Sequence, residues 1–407
     1  MLDYDLYVGI DWAAETHQIC FLDPGGHVLE EARVAHSGAG LATLVEHLRR
    51  LGPSEPGRVA VAIETPRGAV VDTLMAHGCH VFAVNPKQLD RFRDRHTVAG
   101  AKDDRRDAFV AADALRTDGG AFRRVQIEEP RVIQLREVSR LHAELVQEHT
   151  RLTNRVREQL QRFYPQPLAL CAAADEPWLW TLLERAPTPA LAQRLRRNTL
   201  RALLATHRIR RFTAEELYAL LQAAPLIVAP GTAEAAAEHL ALLIPRVRLV
   251  HDQQTQCERR LARLLDTLAE GEQQEHRDVT VLRSVAGVGT IVAAAMLAEA
   301  TGPLAGRDYQ TLRAHTGVAP VTRQSGKTRL VSMRRSCNAR LRAAVFHWAA
   351  NSIRLDPHSR AHYDRLRQRH GHARALRGVA DRLLRILIAM LTTGTLYDPA
   401  RRQAIPA

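Results

Sequence analysis

The stretch LYVGIDWAAETHQICFLDPGGHVLEEARV, residues Leu6–Val34, and the later run RVAVAIE, residues Arg58–Glu64, decide the fold of the first part of this 407-residue chain. The first reads as three short strands with a Gly25-Gly26 turn between the second and third, and Asp11 closes the first strand. The second run is short, almost wholly apolar and broken at once by Thr65-Pro66, so Glu64 falls at the carboxyl end of a strand. A helical stretch near Leu41–Leu51 lies between the two. A helix over about Ala69–His77, a strand over His80–Asn85 and the helical segment Lys102-Asp-Asp-Arg-Arg-Asp-Ala-Phe-Val-Ala-Ala-Asp-Ala-Leu115 complete the order βββαβαβα. In that last helix Asp104 and Asp107 are three apart and share a face. Asp103 is expected to point away from that face, and Asp113 to lie about two turns from it.

Two acids at strand ends and two on one helix face suit a hard divalent cation. Mg²⁺ prefers carboxylate oxygens and keeps several waters, which leaves room for substrate phosphates. Two such ions about 3.5–4 Å apart can stabilise both the attacking and the leaving oxygen of a phosphodiester. Without cations the same acids would repel a phosphate. Any one of Asp11, Glu64, Asp104 and Asp107 alone reads as solvated surface; in this order, on these elements, the set reads as a metal site.

Charge points to a polyanionic partner. Lys and Arg number 57 against 44 Asp and Glu, a net charge of +13. The surplus is concentrated: residues 321–390 hold 16 Lys and Arg against 3 Asp, and the rest of the chain is balanced. A basic region of this density binds phosphate backbones with a steep salt dependence. Cys20, Cys79, Cys171, Cys257 and Cys337 are odd in number and never form C-x-x-C, so neither a disulfide framework nor a zinc site is expected. Asp3 and Asp5 precede any apolar run and no long apolar stretch occurs, so no signal peptide or membrane span is expected and a reducing cytosol fits.

Aromatic residues make up 5% of the chain, and Ala, Leu and Arg dominate beyond the first region, which favours helices. Val132–Phe163 has Leu141, Leu145, Leu152, Val156, Leu160 and Phe163 at helical spacing. A second long helix over about Ala233–Leu268, with a kink expected at Pro245, could pack against it. Between them, Pro165–Pro230 reads as an all-helical insertion, in which Thr213 is a plausible helix cap. Near His276 a further region begins, where Gly287 and Gly289 between two apolar segments resemble a helix-hairpin-helix turn able to receive a phosphate on backbone amides, and equally read as a turn that simply joins two packed helices. The next segment, Gly317-Val-Ala-Pro-Val-Thr-Arg-Gln-Ser-Gly-Lys-Thr-Arg-Leu330, reads as a loop that sets Ser325 beside Arg323, Gly326 and Lys327. A serine hydroxyl attacks only when its proton is removed or the developing charge is stabilised. On the residues alone, a serine that contacts phosphate by hydrogen bonding in a flexible basic loop is the safer reading of Ser325.

The Asp11 strand, the Ile63-Glu64-Thr-Pro segment, Lys102-x-Asp104-x-x-Asp107-Ala108, the Ala286-Gly-Val-Gly turn and Gly317-x-Ala-Pro…Gln324-Ser-Gly-Lys, taken in order, resemble the DEDD transposases of the insertion-sequence 110 family over nearly the whole chain. The resemblance implies an α/β RNase H-like (RuvC-type) domain over residues 1–130, in which Asp11, Glu64, Asp104 and Asp107 hold Mg²⁺. It implies a helical, coiled-coil region with its insertion over 131–275, a mainly helical serine-bearing transposase domain over 276–395, and a tail over 396–407. Ser325 would attack a DNA phosphate to form a covalent serine-DNA intermediate, with acids and serine from different subunits of a dimer or tetramer. A structured guide RNA, a bridge RNA encoded at the element's end, would pair with donor and target DNA in the nucleoid. Arg323, Lys327, Arg329, Arg334 and Arg335, with Gly287 and Gly289, would hold nucleic acid. The chain departs from the family where relatives commonly carry Lys-Arg-Gly-Asn and it carries Arg335-Ser-Cys-Asn338, and Ser332 and Ser336 stand as reserve nucleophiles. Two other readings stay open: a junction-resolving nuclease using metal-activated water, and a non-catalytic nucleic-acid-binding derivative.

Overall fold

The computed structural model describes residues 4–95, 103–126, 129–270, 274–326 and 328–400, which divide into two compact units, 1–128 and 129–407. In the first unit the order is β1 (Leu6–Asp11), β2 (Thr16–Leu22), β3 (Val28–Ala35), α1 (Gly38–Leu51), β4 (Val59–Ile63), α2 (Ala69–Ala76), β5 (His80–Ala83), α3 (Pro86–Arg93), α4 (Asp104–Asp118) and β6 (Arg123–Arg124). The sheet runs β3-β2-β1-β4-β5-β6, with β1, β4 and β5 mutually parallel and the remaining neighbours antiparallel. This is a mixed α/β sheet consistent with a RuvC-like domain. Neither α3 nor β6 was expected from the sequence: α3 is a short, largely polar turn of helix and β6 has only two arginines.

Strand alternation sorts the side chains into two layers. Leu6, Val8 and Ile10 of β1, Ile19 and Phe21 of β2, and Val59, Val61 and Ile63 of β4 join one core with Leu44 and Leu48 of α1 and Val70 and Leu74 of α2. The intervening residues face α4, where Ala60 and Ala62 meet Val110, Ala111 and Leu115, and Cys20 and Leu22 meet Ala108 and Ala112. Small residues let this helix lie close to the sheet. Gly9 has no side chain to obstruct it: a Cβ there would stand 1.9 Å from the Ala108 carbonyl oxygen and 2.6 Å from the Ala112 nitrogen.

The second unit is mainly helical. α5 (Pro130–Phe163) is followed by α6 (Pro177–Arg185), α7 (Pro189–Gln193), α8 (Arg197–Thr206), α9 (Ala214–Gln222) and α10 (Thr232–Ala269). Thr213 caps α9 in a reciprocal box with Glu216, each side chain bonding the other's backbone N–H. The assigned α10 helix continues through Pro245. α5 and α10 pair antiparallel and serve two cores. Their ends near Leu152–Phe163 and Leu240–Val250 pack with the α6–α9 insertion around Trp178 and Trp180. Their other ends, Leu135 with Leu261, Leu265 and Leu268, pack with the carboxy-terminal helices. Those are α11 (Gln274–Ser284), α12 (Thr290–Glu299), α13 (Thr301–Ala305), α14 (Tyr309–His315), α15 (Ala339–Leu355), α16 (Pro357–Arg367) and α17 (His372–Thr393), with the strands β7 (Val321–Ser325) and β8 (Thr328–Ser332) between α14 and α15. Among the described residues no helix is long and apolar enough to cross a membrane.

Candidate metal site and serine hairpin

The register of the first sheet determines where its acids lie. Asp11 pairs with Gln18 across β1 and β2, and Gln18 pairs with Arg33 across β2 and β3. On the other side Ile10 pairs with Ile63, so the register continued by one residue sets Glu64 beside Asp11. Paired residues share a face, and Asp11 follows Tyr7 and Gly9 on the face that α4 covers. The first turn of α4 supplies Asp104 and Asp107. Asp11 and Asp104 line one cleft of about 220 Å³ together with Thr16, Gln18, Arg33 and Asp103.

The four acids differ in environment. Glu64 and Asp104 are exposed, and Asp11 is half-buried. Asp107 is only 4% exposed. Its Oδ1 lies 2.8 Å from Arg93 Nη2 on α3 in an ionic contact, yet finds no hydrogen-bond partner. With Asp11 and Glu64 at the carboxyl ends of β1 and β4 and Asp104 and Asp107 on α4, the donors are all carboxylate oxygens, the kind a hard cation takes. No three of the four acids bring their oxygens within 4.8 Å of one another; among the described residues only Cys171, Asp175 and Glu176 do so. That trio has a structural use, since Glu176 takes a two-pronged ion pair from Arg211 and a hydrogen bond from Trp178, and burial raises the Cys171 thiol to about 11.

The expectation for Asp103 needs correction. It precedes the helix and caps it, its Oδ1 accepting from Arg105 N at 3.2 Å, so helical side-chain geometry does not apply and it too faces the cleft. Asp113 is tied to Arg116 at 2.6 Å. Next to Asp11, Trp12 stacks on buried His17, whose Nε2 lies 2.9 Å from His36 Nδ1. Ala13 N–H reaches His17 Nδ1 at 3.4 Å, so the neutral ring carries its proton on Nε2. Burial first, and the His36 ring second, lower the His17 pKa.

In the second unit Ser325 sits on a β-hairpin, where the sequence suggested a loop. Val321 pairs with Ser332, Arg323 with Leu330 and Ser325 with Thr328, leaving a two-residue turn whose Gly326 has φ +55°. Lys327, the other turn residue, lies outside the described residues, as does Lys102. A hairpin face this polar carries no apolar alternation, hence the misreading. Ser325 shares its face with Arg323, while Arg329 and Gln324 are on the opposite one; all four are exposed. The base of the hairpin is fastened. Arg334 Nε donates to the Ala319 carbonyl at 3.4 Å and Asn338 N to that of His315 at 2.9 Å. Arg335 and both reserve serines, Ser332 and Ser336, are exposed. Gly317, at φ +69°, passes so close to Cys337 that a Cβ would stand 2.8 Å from its sulfur.

Joined to that base through Asn338 is a half-buried acid missed in the sequence. Glu299, at the end of α12, takes Arg140 of α5 at 2.8 Å and Asn338 Nδ2 at 2.7 Å. Asn338 also caps α15, its Oδ1 accepting from Arg340 N and Leu341 N. Burial alone would raise the Glu299 pKa, but the hydrogen bonds from Arg140 and Asn338 outweigh it and the pKa is lowered. One charge at the end of an otherwise apolar helix was the available signal. The Gly287 turn also has a packing role: at φ +87° it leaves 2.8 Å between a Cβ and Ser352, whose Oγ donates to the Ala286 carbonyl. Nothing lies within 4 Å of a Cβ at Gly289, which precedes the exposed start of α12.

Comparison with known proteins matches two separate stretches of the chain. A transposase model for DEDD-type IS110 elements matches residues 8–165, and a model for transposases of the IS116/IS110/IS902 family matches residues 279–364. A Streptomyces coelicolor protein named as the mini-circle transposase for IS117 is 33% identical over 97% of this chain and 96% of its own length. A Sinorhizobium fredii protein named as transposase y4uE is 49% identical, but over 51% of this chain and 58% of its own length. The IS110 insertion-element protein of S. coelicolor is 28% identical over 97% of this chain and 96% of its own. On these matches, the chain belongs to the IS110 family of insertion-sequence transposases.

Proposed function

We propose that this protein moves an insertion element by cutting and rejoining DNA strands, with Asp11, Glu64, Asp104 and Asp107 as ligands for Mg²⁺ and Ser325 as nucleophile. The carrying observation is the register that sets Glu64 beside Asp11 on the face of the sheet covered by α4, which bears the other two acids. Bound Mg²⁺ would supply charge stabilisation for the oxygens of the reacting phosphodiester. The residues of the chain do the rest. Ser325, exposed near the tip of its hairpin, forms a bond from Oγ to phosphorus as one P–O bond of the strand breaks, and the departing strand oxygen takes up a proton. The phosphodiester is conserved in the serine-DNA link, so a second strand end can reverse the step without an outside energy source. Arg323, on the same face, supports the charge that develops on the phosphate.

Gly287, Gly289, Arg329, Arg334, Arg335 and Lys327 are assigned to nucleic-acid backbone. Guidance by a structured RNA from the element's end, assembly as a dimer or tetramer with acids and serine from different subunits, and a place in the nucleoid of the cytoplasm rest on family resemblance and on the basic surplus of residues 321–390. The 276–395 segment is assigned as the serine-bearing domain and 131–275 as its helical, coiled-coil support. The test is a denaturing gel of element-end DNA incubated with protein, Mg²⁺ and RNA transcribed from the element's flank. Wild type should leave DNA covalently attached to protein, Ser325→Ala none, and Asp11→Asn none. Cleavage that survives Ser325→Ala without an adduct would replace the serine mechanism with metal-activated water.

A further inference from the structure

The row that contains Asp11 continues away from β4 into two residues with no role so far. Arg33 of β3, Gln18 of β2 and Asp11 of β1 are consecutive cross-strand partners on one face, and all three line the 220 Å³ cleft with Asp104. Neighbouring strands are about 4.8 Å apart, so a basic side chain, an amide and a carboxylate stand in line over about 10 Å. Arg33 is exposed, and its Nε donates to Thr16 Oγ1 at 3.1 Å, which fixes the guanidinium plane. Among the described residues it forms no ion pair, although three acids, Asp11, Asp103 and Asp104, share the cleft. Arg105, the other cation among the described residues that line this cleft, is committed to Glu31.

We propose that Arg33 and Gln18 are the phosphate-docking half of this site. The outer Nη groups of Arg33 and the Gln18 amide N–H donate to the non-bridging oxygens of a nucleic-acid phosphodiester lying across β2 and β3, one step from the acids. A carboxylate cluster repels a phosphate; a planar guanidinium held by Thr16 presents two parallel donors that match phosphate oxygens. Gln18 adds a donor without adding charge beside Asp11. The occupant is the DNA strand to be cut, because the row leads directly to the proposed metal ligands. This inference rests on that metal-site reading.

The test uses full-length Arg33→Ala, Arg33→Lys and Gln18→Ala proteins with element-end DNA. Arg33→Ala should raise the KM for DNA on the order of ten- to a hundred-fold, and lower the salt-dependence slope of binding by about one, with the Mg²⁺ concentration for half-maximal activity unchanged. Arg33→Lys should restore the slope but only part of the KM, since the charge returns without the fork. Gln18→Ala should raise KM several-fold at an unchanged slope. Unchanged KM and slope in Arg33→Ala, or a lower melting temperature as its sole effect, would overturn the proposal and leave Arg33 a strand-edge support. Repeating the titration with guide RNA alone separates sources: a slope change confined to RNA overturns the assignment to the cut strand. Full activity of Asp11→Asn and Glu64→Gln would instead overturn the metal-site reading itself.

Discussion

Gly9→Ala tests the closest approach in the first unit. The added methyl would meet the Ala108 carbonyl oxygen at 1.9 Å and the Ala112 nitrogen at 2.6 Å, where ordinary contact starts at 3.4 Å. Both obstacles are backbone of α4, so no side chain can swing aside, and the helix must lift from β1 by about 1.5 Å or the strand must bend. Overpacking of this kind costs about 1–3 kcal/mol, and contact with rigid backbone puts Gly9→Ala at the upper end. That loss should lower the melting temperature by several degrees. The second effect is geometric: α4 carries Asp104 and Asp107, so the lift separates them from Asp11, and a displacement of about 1 Å costs on the order of a hundred-fold in rate. Circular-dichroism melting and Mg²⁺-dependent strand cleavage read the two effects separately. Gly120→Ala is the control, since a Cβ there has nothing within 4 Å and stability should hold. Wild-type melting and wild-type cleavage in Gly9→Ala would refute the direct seating of α4 on β1.

Two further outcomes follow from named contacts. Arg93→Met removes the countercharge from buried Asp107 and should destabilise the protein by a few kcal/mol in EDTA; if Asp107 is a ligand, Mg²⁺ should narrow that deficit in a thermal-shift assay, and equal deficits with and without the ion would exclude it. His17 is held neutral, its pKa lowered by burial and by His36, so between the folded value and about 6.5 the unfolded chain binds more protons and stability rises with pH. Melting temperature should therefore fall as pH drops below about 6.5, and His17→Gln should flatten that part of the profile; an unchanged slope in the variant would place the titration elsewhere.

Much of the first unit was legible because its signals are local. The runs of Leu6–Asp11 and Arg58–Glu64 are too apolar and too short for surface helices, and Thr65-Pro66 ends the second where β4 ends. The pairing of Asp104 with Asp107 is a matter of helical spacing, and α4 carries both. Asp103 was misjudged because a cap obeys different geometry from the helix it begins. The hairpin of Ser325 escaped because its strands are polar on both faces and owe their form to cross-strand hydrogen bonds and a two-residue turn. Gln18 and Arg33 were invisible for a third reason: their partners lie on other strands, and only the register shows that Arg33 is two strands from Asp11. Long-range pairing leaves no mark on a single sequence.

The antiparallel partnership of α5 and α10 limits how such a protein can change length. An α-helix of 34 residues is a rod of about 50 Å, and each residue removed shortens it by about 1.5 Å while turning everything beyond by about 100°. Since the two rods hold the insertion core at one end and the carboxy-terminal core at the other, a lone deletion in either would twist one core against the other and break the shared seam. Tolerated indels should therefore come as matched edits in both rods, in steps near seven residues that nearly preserve phase. The pair behaves as a gauge with coarse graduations, so the distance between the two cores can be reset in jumps of about 10 Å but hardly trimmed in between.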